Sequence, residues 1–371
     1  MKHLSVMFKP ASSLCNMRCK YCFYADVSSL RDVTSYGIMS EQAADEMIAN
    51  IFCDMERGDR LTLAFQGGEP TLAGLDFFRH FTAEVDRYRD KGVELAYALQ
   101  TNGLLLDDDW CAFLKERNFL VGLSLDGPAA YHDANRVDAE RKGTFQRLIE
   151  TKKRLDRHGV DYNVLMTLTG ALARHPQQVW RFMEEQDLRF VQMTPCLGPL
   201  DHQSSTYALT PERYAAFYRT FFDLWFQSYQ RGVYRSVKLF DDIVNLMAHG
   251  QCNACGLLGR CQAQMVVEAD GSVYPCDFYV LDEYNVGNLR TQRLREVWEA
   301  AQESGFTSRP REPLTLCGTC PYRSICGGGC QRMHREVFYG PNDTACGHRM
   351  FLDHAMPRLQ QVAMMARRAA R

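Results

Sequence analysis

Leu4-Ser5-Val6-Met7-Phe8-Lys9-Pro10-Ala11-Ser12-Ser13-Leu14-Cys15-Asn16-Met17-Arg18-Cys19-Lys20-Tyr21-Cys22 joins a short apolar run to a loop carrying three thiols. Leu4 to Phe8 reads as a strand, and the same pattern recurs along the chain at Leu61 to Phe65, Glu94 to Gln100, Phe119 to Leu125, Asp161 to Thr167 and Arg189 to Thr194. Longer stretches of helical period separate these runs. Ser40 before Glu41-Gln42 marks one helix start, and Thr144 precedes the segment through Leu148, Ile149 and Leu155. Strands alternating with helices predict an α/β fold with a parallel sheet.

In such folds chemistry gathers at the C-terminal ends of the strands. The cysteine loop follows the first strand and Gln66-Gly67-Gly68-Glu69-Pro70 the second. Gln100-Thr101-Asn102-Gly103 follows the third, and Ser124 with Asp126-Gly127-Pro128 the fourth. Four polar or glycine-rich motifs are therefore expected on one rim.

Eleven of the fifteen cysteines fall into a three-plus-eight pattern. A four-iron cluster takes four cysteines, so the triplet Cys15-x3-Cys19-x2-Cys22 leaves one iron open to another ligand. Cys255, Cys261, Cys276, Cys317, Cys320, Cys326, Cys330 and Cys346 divide into two sets of four, enough to close two further clusters. Zinc competes for these thiols, because Cys317-x2-Cys320 is also a zinc-ribbon spacing, but the triplet has no fourth ligand nearby for a tetrahedral structural site. Cys53, Cys111, Cys196 and Cys252 lie outside the pattern, and the first two are expected to pack inside amphipathic helices.

The chain of 371 residues has room for a large domain and a smaller one, with 46% hydrophobic and 24% charged residues. Its formal charge of -2 provides no field for nucleic acid or an anionic membrane. The N-terminal apolar run is too short for a signal peptide, and no segment approaches the roughly 18 apolar residues of a membrane span. A cytoplasmic, reducing location is expected, which favours metal-bound or redox cysteines over disulfides.

Thr210-Pro211-Glu212 opens a helix bearing Tyr214, Phe217, Tyr218, Phe221 and Trp225, an aromatic stripe read as core. A helix from about Val237 to Ala248 leads to Gly250, beyond which composition turns cysteine-dense and loop-like. These features place a domain boundary near 235, giving domains 1–235 and 236–371. Gln264 to Glu268, Ala269-Asp270-Gly271 and Ser272 to Tyr274 predict a hairpin forming a small sheet of the second domain, with Cys261 and Cys276 at its ends. Arg358, Arg367, Arg368 and Arg371 are expected to form the solvated face of a final helix.

The triplet with its aromatic Tyr21, together with Gly67-Gly68-Glu69-Pro70, resembles radical S-adenosylmethionine enzymes. The run from Cys261 through Gly271, Cys276, Cys317, Cys320, Cys326 and Cys330 to Cys346 resembles the twin-cluster SPASM extension. Within that group the chain is similar to anaerobic sulfatase-maturating enzymes, most tellingly at Asp270-Gly271-Ser272-Val273-Tyr274-Pro275-Cys276-Asp277-Phe278-Tyr279-Val280.

The resemblance implies a partial (β/α)6 TIM-like barrel with a C-terminal cysteine-rich SPASM domain, three [4Fe-4S] clusters and S-adenosyl-L-methionine. It further implies that the open iron chelates the amino and carboxylate groups of S-adenosylmethionine, whose cleavage yields a 5′-deoxyadenosyl radical. Gly68 would offer backbone groups to the methionyl moiety, Ser124 and Arg136 would hold the carboxylate and nearby polar atoms, and Tyr21 and Leu197 would pack on the nucleoside side. Cys255, Cys261, Cys276 and Cys330 would hold the nearer auxiliary cluster, and Cys317, Cys320, Cys326 and Cys346 the outer one. Asp277 is the candidate base for oxidising a sulfatase Cys or Ser, in a Cys/Ser-x-Pro/Ala-x-Arg motif, to Cα-formylglycine. A low-potential donor such as flavodoxin or ferredoxin would supply electrons.

The nearest rival is a SPASM peptide maturase that forms thioether or carbon-carbon crosslinks or epimerises a residue. Such enzymes often carry an N-terminal leader-binding domain, for which no room is expected before Cys15. A zinc-stabilised binding module is the rival from another class.

Overall fold

Leu4, Val6 and Phe8 are buried while His3 and Ser5 are exposed, the two-residue alternation expected when one strand face turns into the core. The strands are β1 (His3–Phe8), β2 (Arg60–Phe65), β3 (Glu94–Thr101), β4 (Phe119–Ser124), β5 (Tyr162–Leu168), β6 (Phe190–Pro195), β7 (Ser236–Val237), β8 (Met265–Val267), β9 (Ser272–Tyr274) and β10 (Gly287–Asn288). The first six match the runs read from the sequence to within a residue or so at either end. The structure, a computed structural model, describes residues 3–201, 205–252, 254–308, 315–333 and 345–369. Arg371 lies outside the described residues.

The chain divides into two units. The first comprises Met1–Ser124, Asp133–Tyr162 and Ala263–Arg309. Its strands lie in the order β10-β9-β8-β1-β2-β3-β4, with β1 to β4 parallel, β8 parallel to β1, and β9 and β10 antiparallel to their neighbours. Phe8 and Phe65, paired in register, meet Phe78 and Phe81 of the helix Leu75–Asp86 at ring-centroid distances of 4.8 to 5.1 Å. Each such buried ring contributes about 1.5–3 kcal/mol by burial. Ser40 caps the helix Glu41–Cys53 by accepting from the Ala43 N–H.

Three expectations are corrected here. The hairpin β8–β9 does form, with Gly271 at φ 89° in its turn, but β8 pairs with β1, so the hairpin extends the first unit's sheet. Pairing with an existing strand gives β8 the hydrogen-bonding partner that a three-residue strand in a two-stranded ribbon lacks. Thr144 does not cap the helix Phe145–His158; its hydroxyl donates to the Arg136 carbonyl, and Asp133 accepts from the Phe145 N–H instead. Cys111 is buried as expected, whereas Cys53, the last residue of its helix, is exposed.

The second unit comprises Leu125–His132, Asn163–Gln262 and Pro310–Arg371, with β5, β6 and β7 parallel. Thr210 caps the helix Pro211–Gln230, whose aromatic stripe is buried against Phe240 and Phe351. The helix Lys238–His249 ends at Gly250, whose φ of 68° suits a left-handed cap. In the helix Gly347–Ala369 the arginines do more than face solvent. Arg358 lies 4.9 Å over the Phe222 ring and pairs with Asp223, and Arg367 donates to the Ala248 carbonyl at the end of a neighbouring helix. Arg367 and Arg368 are exposed as expected, and Arg358 is the exception, half-buried because its guanidinium stacks on a ring. No helix among the described residues is long and apolar enough to cross a membrane.

Candidate functional site

The loop after β1 is fastened on both sides within the first unit. On one side the Gln66 N–H bonds to the Phe8 carbonyl at 2.9 Å, the Gly68 N–H to Ser12 at 2.8 Å, and the Glu69 N–H to Leu14 at 2.8 Å. A Cβ on Gly68 would sit 2.1 Å from the Leu14 carbonyl oxygen, so this glycine is required by the chain's own backbone. On the other side the Arg18 and Lys20 N–H groups bond to the carbonyls of Val137 and Asn135, at 2.7 and 3.0 Å. These two bonds flank Arg136 and bring its side chain to the cysteine loop. Its guanidinium lies 5.5 Å over the Tyr21 ring, with Nη1 4.0 Å from the Cys19 Sγ.

Glu69 is fully buried and ties the motifs together. Its Oε1 accepts from the Thr71 N–H, the Thr71 hydroxyl and the Thr101 hydroxyl, and its Oε2 accepts from the Asn102 N–H. Burial raises its pKa, while these hydrogen bonds oppose the rise. Asn102, so placed, directs its amide toward Asn16 at 2.7 Å and the Cys15 Sγ at 3.8 Å. Gln100 donates to the Ser124 hydroxyl at 3.1 Å.

Burial pushes the Cys15 thiol up to about 12; the Met17 N–H, 3.4 Å from its sulfur, opposes this, and Glu69, Cys19 and Cys22 add to it. Cys19 and Cys22 are thus near enough to Cys15 to act on its charge. They fit an iron-sulfur cluster: three thiols from one loop, with N–H donors directed at the sulfurs, as cluster thiolates take them. Among the described residues no cysteine forms a disulfide.

Asp277 follows Cys276 and is buried. Lys9 Nζ donates to its Oδ1 at 2.6 Å and Gln66 Nε2 to its Oδ2 at 2.7 Å. Phe278, next in sequence, packs on Phe23 at 5.0 Å, and Phe23 directly follows Cys22. That contact sets the Asp277 segment against the end of the triplet loop.

In the second unit Cys317, Cys320 and Cys346 are near enough to Cys326 to act on its charge. Burial raises the Cys326 thiol to about 12; the Gly328 N–H opposes this, and Cys346, Cys317 and Cys320 add to it. The loop after Cys255 is clasped to the segment ending at Cys330. A Cβ on Gly256 would lie 2.8 Å from the Cys330 Cα, and one on Gly259 would lie 1.9 Å from the Gly327 oxygen. Cys261 follows this loop, and Leu197 lies two residues beyond β6. Cys276 belongs to the first unit.

Sequence reasoning placed Gln66 and Asn102 on the rim without giving them a role, and it missed Lys9 as a site residue. A lysine following an apolar strand without interruption was the available signal for Lys9.

The chain matches the family model of the radical SAM superfamily over residues 10–185 and that of the SPASM iron-sulfur cluster-binding domain over residues 252–321. It is 39% identical to a cysteine-type anaerobic sulfatase-maturating enzyme of Clostridium novyi, covering 93% of this chain and 91% of that one. Identity to a serine-type enzyme of Bacteroides thetaiotaomicron is 27%, covering 96% and 90%. A solved structure, native anSMEcpe with bound AdoMet and Kp18Cys peptide, superposes with a TM-score of 0.89 at 36% identity, covering 98% of this chain and 99% of that one.

Proposed function

Because the chain belongs to the anaerobic sulfatase-maturating enzymes, a SPASM-bearing branch of the radical S-adenosylmethionine superfamily, we propose that it oxidises the target residue of a sulfatase polypeptide to Cα-formylglycine. Cysteine is the proposed preferred target, since identity is 39% to a cysteine-type relative and 27% to a serine-type one.

In this reading residues 1–235 bind S-adenosylmethionine and residues 236–371 carry the auxiliary clusters. Cys15, Cys19 and Cys22 hold the cluster with the open iron. Gly68, Ser124, Arg136, Tyr21 and Leu197 surround S-adenosylmethionine. Cys255, Cys261, Cys276 and Cys330 hold a second cluster, and Cys317, Cys320, Cys326 and Cys346 a third. When bound, these groups supply removal of a hydrogen atom from the substrate Cβ and an acceptor for the electron that follows.

Asp277 takes the remaining proton from the thiol or hydroxyl, so the side chain loses two electrons and two hydrogens in all, one hydrogen from Cβ and one from the sulfur or oxygen. A serine then yields the aldehyde directly, while a cysteine yields a thioaldehyde that water converts to the aldehyde with release of hydrogen sulfide. The observation that carries this reading is the buried Asp277 carboxylate beside Cys276, in the segment packed through Phe278 on Phe23. A substrate of the form Cys/Ser-x-Pro/Ala-x-Arg and a flavodoxin or ferredoxin donor complete the proposal.

The test is to incubate reduced enzyme and S-adenosylmethionine with Cys-x-Pro-x-Arg and Ser-x-Pro-x-Arg peptides and to probe for carbonyl with a hydrazine reagent. Aldehyde on the cysteine peptide is expected. Release of 5′-deoxyadenosine without carbonyl on either peptide would favour crosslinking or epimerisation.

A further inference from the structure

Lys9 has a completely buried side chain whose Nζ lies 2.6 Å from Asp277 Oδ1 and 3.8 Å from the Tyr24 ring centroid. Its stem passes over Gly67, which sits at φ 133°; a Cβ there would lie 3.2 Å from both the Lys9 Cβ and Cγ. Its backbone N–H is held by the Val267 carbonyl at 2.8 Å. The lysine is thus walled along its stem and anchored at its root. Beneath it the Tyr24 hydroxyl donates to Glu268 Oε1, which also takes Arg31 Nη1 at 2.6 Å, so the ring under the ammonium is itself fixed.

Fixing a lysine this completely costs side-chain entropy and desolvates its charge, and the return is geometric. An ionised carboxylate offers about four acceptor directions. Lys9 and Gln66 take one on each oxygen, which pins the carboxylate plane and leaves lone pairs for a substrate proton. We propose that Lys9, with Gln66, is the positioning residue for Asp277, setting the direction from which its carboxylate meets the substrate thiol or hydroxyl. This inference rests on the formylglycine reading above. It also assigns Gly67 a part: the absent side chain is the channel for the lysine stem.

The experiment compares wild type, Lys9→Met, Lys9→Arg and Gln66→Met as reconstituted holoenzymes on the cysteine peptide. Lys9→Met should retain iron content and peptide KM, while kcat for aldehyde falls about 100-fold, as a misplacement of about 1 Å at a reacting group does. Lys9→Arg should recover part of that loss and Gln66→Met should show a smaller one. Denaturation midpoints give a readout independent of turnover. Lys9→Met and Asp277→Asn should each lower the midpoint, and the double variant should be less destabilised than their sum because the two charges are coupled.

Additive midpoints, or wild-type kcat in Lys9→Met alongside aldehyde formation by wild type, would overturn the positioning role and leave the formylglycine reading standing. Wild type that cleaves S-adenosylmethionine without forming carbonyl would instead sink that reading. If Lys9→Met does not fold, Gly67→Ala, which crowds the lysine stem, should reproduce the kcat loss; unchanged kcat there would refute the proposal.

Discussion

Gly68→Ala tests the idea that the cysteine loop is shaped by the glycine motif pressed against it. The new Cβ would meet the Leu14 carbonyl oxygen at 2.1 Å and two backbone carbons at 2.7 and 2.8 Å, where real contacts begin near 3.0 Å. The loop must therefore retreat by about 0.9 Å along a line set by backbone rather than by a yielding side chain. Overpacking of this kind costs about 1–3 kcal/mol. Retreat also stretches the Gly68-to-Ser12 and Glu69-to-Leu14 hydrogen bonds, worth about 1 kcal/mol each. A total of about 3–5 kcal/mol lowers the melting temperature of a chain this long by about 4–6 °C. Because the displaced segment ends at Cys15, iron content after anaerobic reconstitution should fall as well. The control is Gly74→Ala, where φ 86° and ψ 154° suit only glycine but nothing lies within 4 Å, so only a backbone strain of about 1–3 kcal/mol applies and iron content should hold. Full iron content and an unshifted melting temperature in Gly68→Ala would show that the glycine motif does not shape the cysteine loop.

Asp277→Asn should keep its iron and abolish aldehyde formation, measured with the hydrazine probe; wild-type yield would remove Asp277 from the mechanism. Thr101→Val removes a 2.7 Å hydrogen bond to the buried Glu69 carboxylate and should cost about 2 kcal/mol in chemical denaturation. His348, fully buried beside Tyr214, has its pKa lowered to about 4 by desolvation. A depressed histidine favours the fold when neutral, so its contribution is complete above pH 6.5 and is lost as pH falls toward 4, by about 1.4 kcal/mol per unit. His348→Gln should therefore flatten the loss of stability between pH 6.5 and 5.5, and an unchanged slope would contradict the assignment.

Strand positions were legible because alternation and β-branched runs are local signals, and the six β/α strands fell where those signals lay. The cap at Ser40 and the stop at Gly250 were legible for the same reason: a cap acts on the next turn of its own helix. Thr144 was misread because its hydroxyl turns back to the Arg136 carbonyl, eight residues earlier, and Arg358 because its partner, the Phe222 ring, lies on a helix distant in sequence. Gly68 was visible as a motif glycine, but its reason was not, since the Leu14 oxygen that forbids a side chain arrives from another loop.

Element types, the count and spacing of the thiols, and the family could all be read from the chain, because each is written in residue order. Only the tertiary structure decided that the hairpin Met265–Tyr274 lies beside β1 and that Lys9 and Gln66 brace Asp277. Lys9 and Asp277 are 268 residues apart. Their pairing depends on where two separate backbones come to rest in the fold, and no periodicity or spacing along the chain encodes a meeting at 2.6 Å between side chains so far apart.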